Sequence, residues 1–242
     1  MSVRNSPASA QLPLNLRWPA QQRFQHFVAG ENAVALDLLS RTAQAENALW
    51  VFVAGTASTG KTHLLIAACA AAEAVGHRAQ YLALARLPTP DAHAIRALGG
   101  SDLLCIDDVQ AIAGQREAEH ALFDLYNRCR AEQATLIFAA NAGPAQIGLQ
   151  LPDLVSRLSS CTQALLKSLS DDDRREVLRQ RATARGLTLE DAVLDYLFVH
   201  QARDLGSLTI LLDRLDRESL AAQRRITLPF LRKLLERDPA QG

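Results

Sequence analysis

Among the residues that could do chemistry, "GTASTGKT" stands out, because it matches G-x4-G-K-[ST] at each fixed position, Gly55, Gly60, Lys61 and Thr62. Glycines there let the backbone curl so that successive amides face phosphate oxygens, and the positive end of a following helix adds to the attraction. Gly55, Ser58, Thr59 and Gly60 would form the cradle. Lys61 would neutralise β- and γ-phosphate charge, and the Thr62 hydroxyl would ligate Mg²⁺. The matching carboxylate should end a nearby strand, and "LLCIDD" supplies Asp107, to hold the metal through water, and Asp108, to orient an attacking water. Asn141 ends the next apolar run, "TLIFAAN", where it would sense the γ-phosphate or the lytic water. A turn residue ahead of Pro144 would look the same locally. Arg157 in "LPDLVSRLSS" is either a solvated surface arginine or a side chain that reaches a neighbour's nucleotide. Far from all of these, "QLPLNL" (residues 11–16) sets three leucines on a polar, proline-broken tail.

These groups need elements to hold them. "LWVFVA", "AQYLALA", "DLLCID" and "TLIFAAN" are short apolar runs bounded by turn residues, as strands buried on both faces are, and "QALLKS" is a fifth. Between them lie helical patterns. The clearest puts Ala118, Ala121, Leu122, Leu125, Tyr126 and Cys129 on one stripe. Another is expected from Phe24 to about Ala45. After Ser170, which can cap a helix whose first turn holds Asp171, Asp172 and Asp173, only helical patterns follow. The expectation is an α/β core over 23–168 with a parallel five-stranded sheet, a small all-helical lid over 169–242, and a flexible tail over 1–22.

Composition narrows the class. The 242 residues are 48% hydrophobic and 21% charged, ordinary for a globular protein. Lys plus Arg is 26 and Asp plus Glu is 26, so the basic surplus expected of a protein that grips DNA phosphates by itself is missing. The four cysteines (Cys69, Cys105, Cys129, Cys161) form no CxxC pair and sit among apolar neighbours, so they read as reduced, buried thiols. With no apolar signal segment and no run near the ~20 residues that cross a bilayer, a cytoplasmic protein without membrane contact is expected.

The order of phosphate loop, Asp-Asp strand, polar strand end, Ser-Arg and helical lid resembles that of the AAA+ ATPases. Within them the chain is similar to the bacterial replication initiator DnaA and its relatives. "FQHFVAGENAVAL" resembles the segment bordering the family's adenine pocket, "LLCIDDVQAIAG" its magnesium strand, "LPDLVSRL" its arginine-finger box and "LPFLRKLL" the end of its lid. "LFDLYNR" and "QLPLNL" resemble a branch whose members regulate DnaA.

That resemblance implies an AAA+ fold binding ADP or ATP with Mg²⁺, and two partners, DnaA and the DNA polymerase III β sliding clamp. Gln11 would make polar contacts on the clamp, while Leu12, Leu14 and Leu16 would enter apolar pockets. Arg157 would act as a finger in trans, and copies of the chain would be able to assemble through the same AAA+ interface. The chain stops just after the lid, without the DNA-reading domain of DnaA, which again points to protein partners. At the family's second phosphate sensor stands Gly206, with Arg203 three residues earlier. The function implied is negative regulation of replication initiation by stimulated hydrolysis of DnaA-bound ATP rather than efficient turnover of its own. The other reading is an autonomous DnaA-like ATPase in DNA remodelling or helicase loading.

Overall fold

The computed structural model describes residues 18–45, 48–87, 92–200, 205–222 and 226–236. The "QLPLNL" peptide and Arg203 lie outside them.

Five strands, β1 (Val51–Ala54), β2 (Ala79–Ala83), β3 (Leu103–Asp107), β4 (Thr135–Ala140) and β5 (Thr162–Leu165), form one parallel sheet in the order β2-β3-β4-β1-β5. β1, β3 and β4 are buried along their whole length, so alternate residues feed two separate cores. On one face Val51, Val53, Cys105 and Ile137 pack against α1 (Ala33–Gln44) and α2 (Lys61–Ala74). On the other, Phe52, Ile106 and Phe138 pack against α3 (Ala92–Ala97), α4 (Arg116–Ala131) and α5 (Pro152–Ser159). Each fully buried large side chain contributes about 1.5–3 kcal/mol from apolar burial. All six residues of the α4 stripe are buried, as their spacing requires. All four cysteines are buried and free.

The leading segment departs from expectation. The helix foreseen from Phe24 starts only at Ala33, and before it run two short 3₁₀ turns, Phe24–His26 and Gly30–Asn32. Gly30, at φ +50°, lies where L residues are rare, and Phe27 is extended, so the chain bends instead of coiling. The bend is held by Asn32, 3% exposed, which donates to Lys167 O (3.0 Å) and accepts from Lys167 N (2.7 Å). The leading segment is thereby fastened to the chain leaving β5.

Beyond that point come α6 (Asp171–Thr183), α7 (Asp191–His200), α8 (Leu205–Ala222) and α9 (Leu228–Glu236). Ser170 caps α6 by accepting from Asp173 N at 3.1 Å, and three aspartates sit in the first turn. Leu178, Val193, Leu197, Phe198, Leu212, Leu215 and Leu231 close a third core, separate from the two on the sheet. No helix among the described residues is long and apolar enough to cross a membrane.

Candidate functional site

β1 ends in the phosphate loop. Ser58 (φ +62°) and Gly60 (φ +93°) are both left-handed there, which turns the chain sharply into α2. A Cβ on Gly60 would meet Phe27 at 2.6 Å, so the leading segment packs directly on the loop and leaves no room for another residue type. Thr59 Oγ1 donates to Thr56 O (3.0 Å). Lys61 folds back onto the loop, donating to Gly55 O (2.6 Å) and Thr56 O (2.8 Å). Burial lowers its pKa, and the nearby charges of Asp107 and Asp108 oppose that. An ammonium satisfied only by carbonyls in a phosphate cradle is placed to exchange them for phosphate oxygens.

The strand order puts β4 between β1 and β3, so the ends of three adjacent strands bring Lys61, Asn141 and Asp107 to one edge of the sheet. Asp107, 1% exposed, accepts at Oδ2 from Thr62 Oγ1 (2.6 Å) and Tyr81 Oη (2.9 Å), and at Oδ1 from Asp108 N (2.9 Å). Burial pushes its carboxyl above the usual range, with help from the charge of Asp108 and against those hydrogen bonds. Burial and the same carboxylate push the Tyr81 phenol up, so it stays a neutral donor. Asp108 stands at φ +58°, and its carboxylate accepts from Gln110 Nε2 (3.1 Å), while Gln110 Oε1 accepts from Asn141 N (3.2 Å).

Thr62 and Asp107 therefore bring hard oxygen donors together, with a buried carboxyl that lacks a full counter-charge. These residues fit Mg²⁺. Among the described residues no cluster of three or more His, Cys, Asp or Glu side chains could hold a metal, so such an ion would take most of its ligands from water and phosphate.

A cleft of about 980 Å³ opens in front of the loop. Its walls are the leading segment (Gln25 to Val28), the loop (Ser58 to Gly60), His63, α6 from Glu176 to Thr183 with Ala184 and Arg185 after it, and Leu205. Gly206 sits in the first turn of α8 beside it.

Arg157 is elsewhere. It lies on α5, exposed, in a second cleft of about 540 Å³ with Trp50, Tyr126, Arg130 and Cys161, which shares no residue with the first. Trp50, Ala134 and Thr162 mark the starts of β1, β4 and β5, so this cleft is at the opposite edge of the sheet. The Arg157 guanidinium is 6.0 Å from the Tyr126 ring centre, and Tyr126 meets Trp50 edge-on at 4.5 Å.

Sequence reasoning missed Tyr81, Gln110 and Glu119. The last is 1% exposed, yet its carboxylate accepts from Gly114 N (2.7 Å), Gln150 N (2.9 Å) and Leu151 N (2.7 Å). It ties the loop after β3 to the start of α5, the helix that carries Arg157. Its one local signal was an acidic residue beside the apolar stripe of α4, between Ala118 and Ala121.

A parallel α/β core with a phosphate loop, an acidic strand end, a cleft roofed by a helical lid and an arginine at the far edge defines the AAA+ class. Residues 19–165 match the bacterial DnaA ATPase domain, more than half of the chain, and residues 171–235 match the lid domain of Hda. The chain belongs to the DnaA-related AAA+ family, with an Hda-type lid.

Solved structures agree on the fold. Domain III of the Thermotoga maritima replication initiation protein DnaA is 20% identical, with a TM-score of 0.75 over 91% of this chain and 98% of that one. AMPPCP-bound DnaA from Aquifex aeolicus is 23% identical, with 0.64 over 85% and 69%. The Thermotoga maritima RuvB Holliday junction branch migration motor is 18% identical, with 0.64 over 89% and 71%.

Proposed function

We propose that this chain is a negative regulator of replication initiation that acts on DnaA. It docks on the DNA polymerase III β sliding clamp through Gln11, Leu12, Leu14 and Leu16. It holds ADP or ATP with Mg²⁺ in the cleft between core and lid, and promotes hydrolysis of ATP bound to DnaA. The observation that carries this reading is the placement of Arg157, exposed in its own cleft at the strand starts, while Lys61 and Asp107 stand at the strand ends. β1 alone, four residues long, separates the two edges by roughly 13 Å. An arginine so placed serves a nucleotide held by another subunit.

In the chain's own cleft, the loop amides and Lys61 bind the phosphates, and Thr62 and Asp107 hold the metal, which screens phosphate charge when bound. Phe27 and Val28 close the base side. Nucleotide here is a structural ligand, joining leading segment, loop and lid. At the partner's site the Arg157 fork contacts γ-phosphate oxygens and stabilises charge that develops as the phosphoryl group leaves. The same face would serve between copies of this chain.

An autonomous ATPase for DNA remodelling or helicase loading is the second reading. It is favoured by the full set Lys61, Thr62, Asp107, Asp108 and Asn141 at the chain's own cleft. Turnover by the chain alone separates the two.

The test is the rate of ATP-to-ADP conversion on DnaA with clamp and DNA, using wild type and a Gln11→Ala, Leu14→Ala, Leu16→Ala triple variant. Stimulation by wild type, its loss in the variant and an unchanged Tm are expected. Full stimulation by a variant that no longer binds the clamp would remove clamp docking from the mechanism.

A further inference from the structure

We infer that Arg181, on the lid helix α6, is the side chain through which the lid reads the phosphate chain, occupying the ground left open by Gly206. This rests on the nucleotide-binding reading above and names a residue for it.

Three lid arginines line the cleft: Arg179 and Arg181 on α6, and Arg185 in the turn that follows it. Two are already neutralised. Arg179 pairs with Asp191 at 2.6 Å, and Arg185 pairs with Asp213 and, at 3.9 Å, with Asp216. Arg181 has no carboxylate within ion-pair distance among the described residues. It donates to the Thr209 hydroxyl, whose own proton goes to Leu205 O at 2.6 Å. Thr209 is thus oriented by the first turn of α8 and presents a lone pair that fixes the guanidinium. Gly206 and Thr209 are three apart on that helix, so they share a face. Through Thr209 the Arg181 head is fastened to the turn that carries Gly206.

The charge faces the phosphate loop, because Arg181 lines the same cleft as Ser58, Thr59, Gly60 and His63. Burial lowers the pKa of Arg181 itself, the Arg185 charge adds to this, and the charge of Asp213, already paired with Arg185, opposes it. A guanidinium has five donors, and one hydroxyl leaves most of them open. A half-buried cation with no carboxylate in ion-pair contact among the described residues is costly to the fold, and an anion entering between Gly60 and α6 would offset that cost. The anion that fits is a di- or triphosphate whose other end lies on the loop.

Calorimetric titration of the full chain with Mg-ADP, Mg-ATP and AMP tests this, with Arg181→Ala, Arg181→Lys and Thr209→Val. Arg181→Ala should weaken ADP and ATP by about tenfold or more, the scale of a lost charge-assisted pair. AMP binding should change little, because its phosphate does not reach that far. Lysine should restore part of the loss and Thr209→Val should reproduce a smaller share. The unliganded Tm of Arg181→Ala should equal or exceed that of wild type, which a merely structural arginine would not allow. Wild-type ADP and ATP affinity in Arg181→Ala would overturn the inference, as would equal losses for AMP and ADP. No binding of any nucleotide by wild type would instead overturn the nucleotide-binding reading, and this inference with it.

Discussion

The two clefts at opposite edges of the sheet are built on different principles. At the strand ends, the charges of the loop and of the β3 end are engaged: Lys61 with two carbonyls, Asp107 with Thr62, Tyr81 and a backbone amide, Asp108 with Gln110. The site is roofed by α6 and walled by the leading segment. At the strand starts, Arg157 is exposed, and among the described residues the aromatic Tyr126 is its one ring contact. A site that completes itself within one chain suits a ligand that the chain keeps. A cation left at an open edge suits a ligand that a partner brings. Glu119 is the physical link between them, since its carboxylate holds both the loop after β3 and the start of α5.

The largest expected effect breaks the comparison at its open side. Arg157→Ala should lower stimulation of DnaA-bound ATP hydrolysis by about 10³–10⁵, the range for arginine fingers. ADP affinity and Tm should stay at wild-type values. Lysine should rescue poorly, because a single ammonium lacks the planar fork. The measurement is ATP-to-ADP conversion on DnaA at saturating protein. Undiminished stimulation would mean that the finger comes from DnaA itself.

The link is next. Glu119→Ala leaves three amides (Gly114, Gln150 and Leu151) without their acceptor, and should cost about 3 kcal/mol or more in a denaturant titration. If the link matters for the far edge, stimulation of DnaA should fall further than ADP affinity in the surviving folded protein. Equal losses would show that Glu119 stabilises the core without favouring either cleft.

The smallest effect sharpens the enclosed side. At ~100 times its dissociation constant, nucleotide should add about 2.7 kcal/mol of stability. Lys61→Ala should erase most of that thermal shift and leave the unliganded Tm near wild type. A wild-type protein whose Tm ignores both Mg-ADP and Mg-ATP would show that the cleft does not serve nucleotide.

Much of the enclosed site was legible because its parts are local. The glycines and Lys61 lie within eight residues of each other, and the strand before them is a continuous apolar run. Asp107 and Asn141 could be placed because parallel strands buried on both faces end abruptly at polar residues. Ser170 with three aspartates announced the start of α6 from neighbouring residues alone. In each case the signal and the structure it specifies share one short stretch of chain.

Arg157 was legible as a residue and not as a place. Nothing near "LPDLVSRLSS" says that its helix faces the strand starts, which follows from β5 pairing with β1 and not with β4. The leading segment bent where a continuous helix looked natural, because Gly30 and the Asn32–Lys167 clamp act together across more than a hundred residues. Tyr81, Glu119 and Arg181 carry no motif. The sequence by itself determined the phosphate loop, the strand cores and the capped start of α6, all of which rest on backbone preferences and apolar periodicity. Only the tertiary structure decided which buried carboxylate holds α5, which phenol serves Asp107, and which lid arginine is fastened to the first turns of α8. Those choices depend on burial and charge pairing between residues distant in the chain, and such pairings leave no periodic trace.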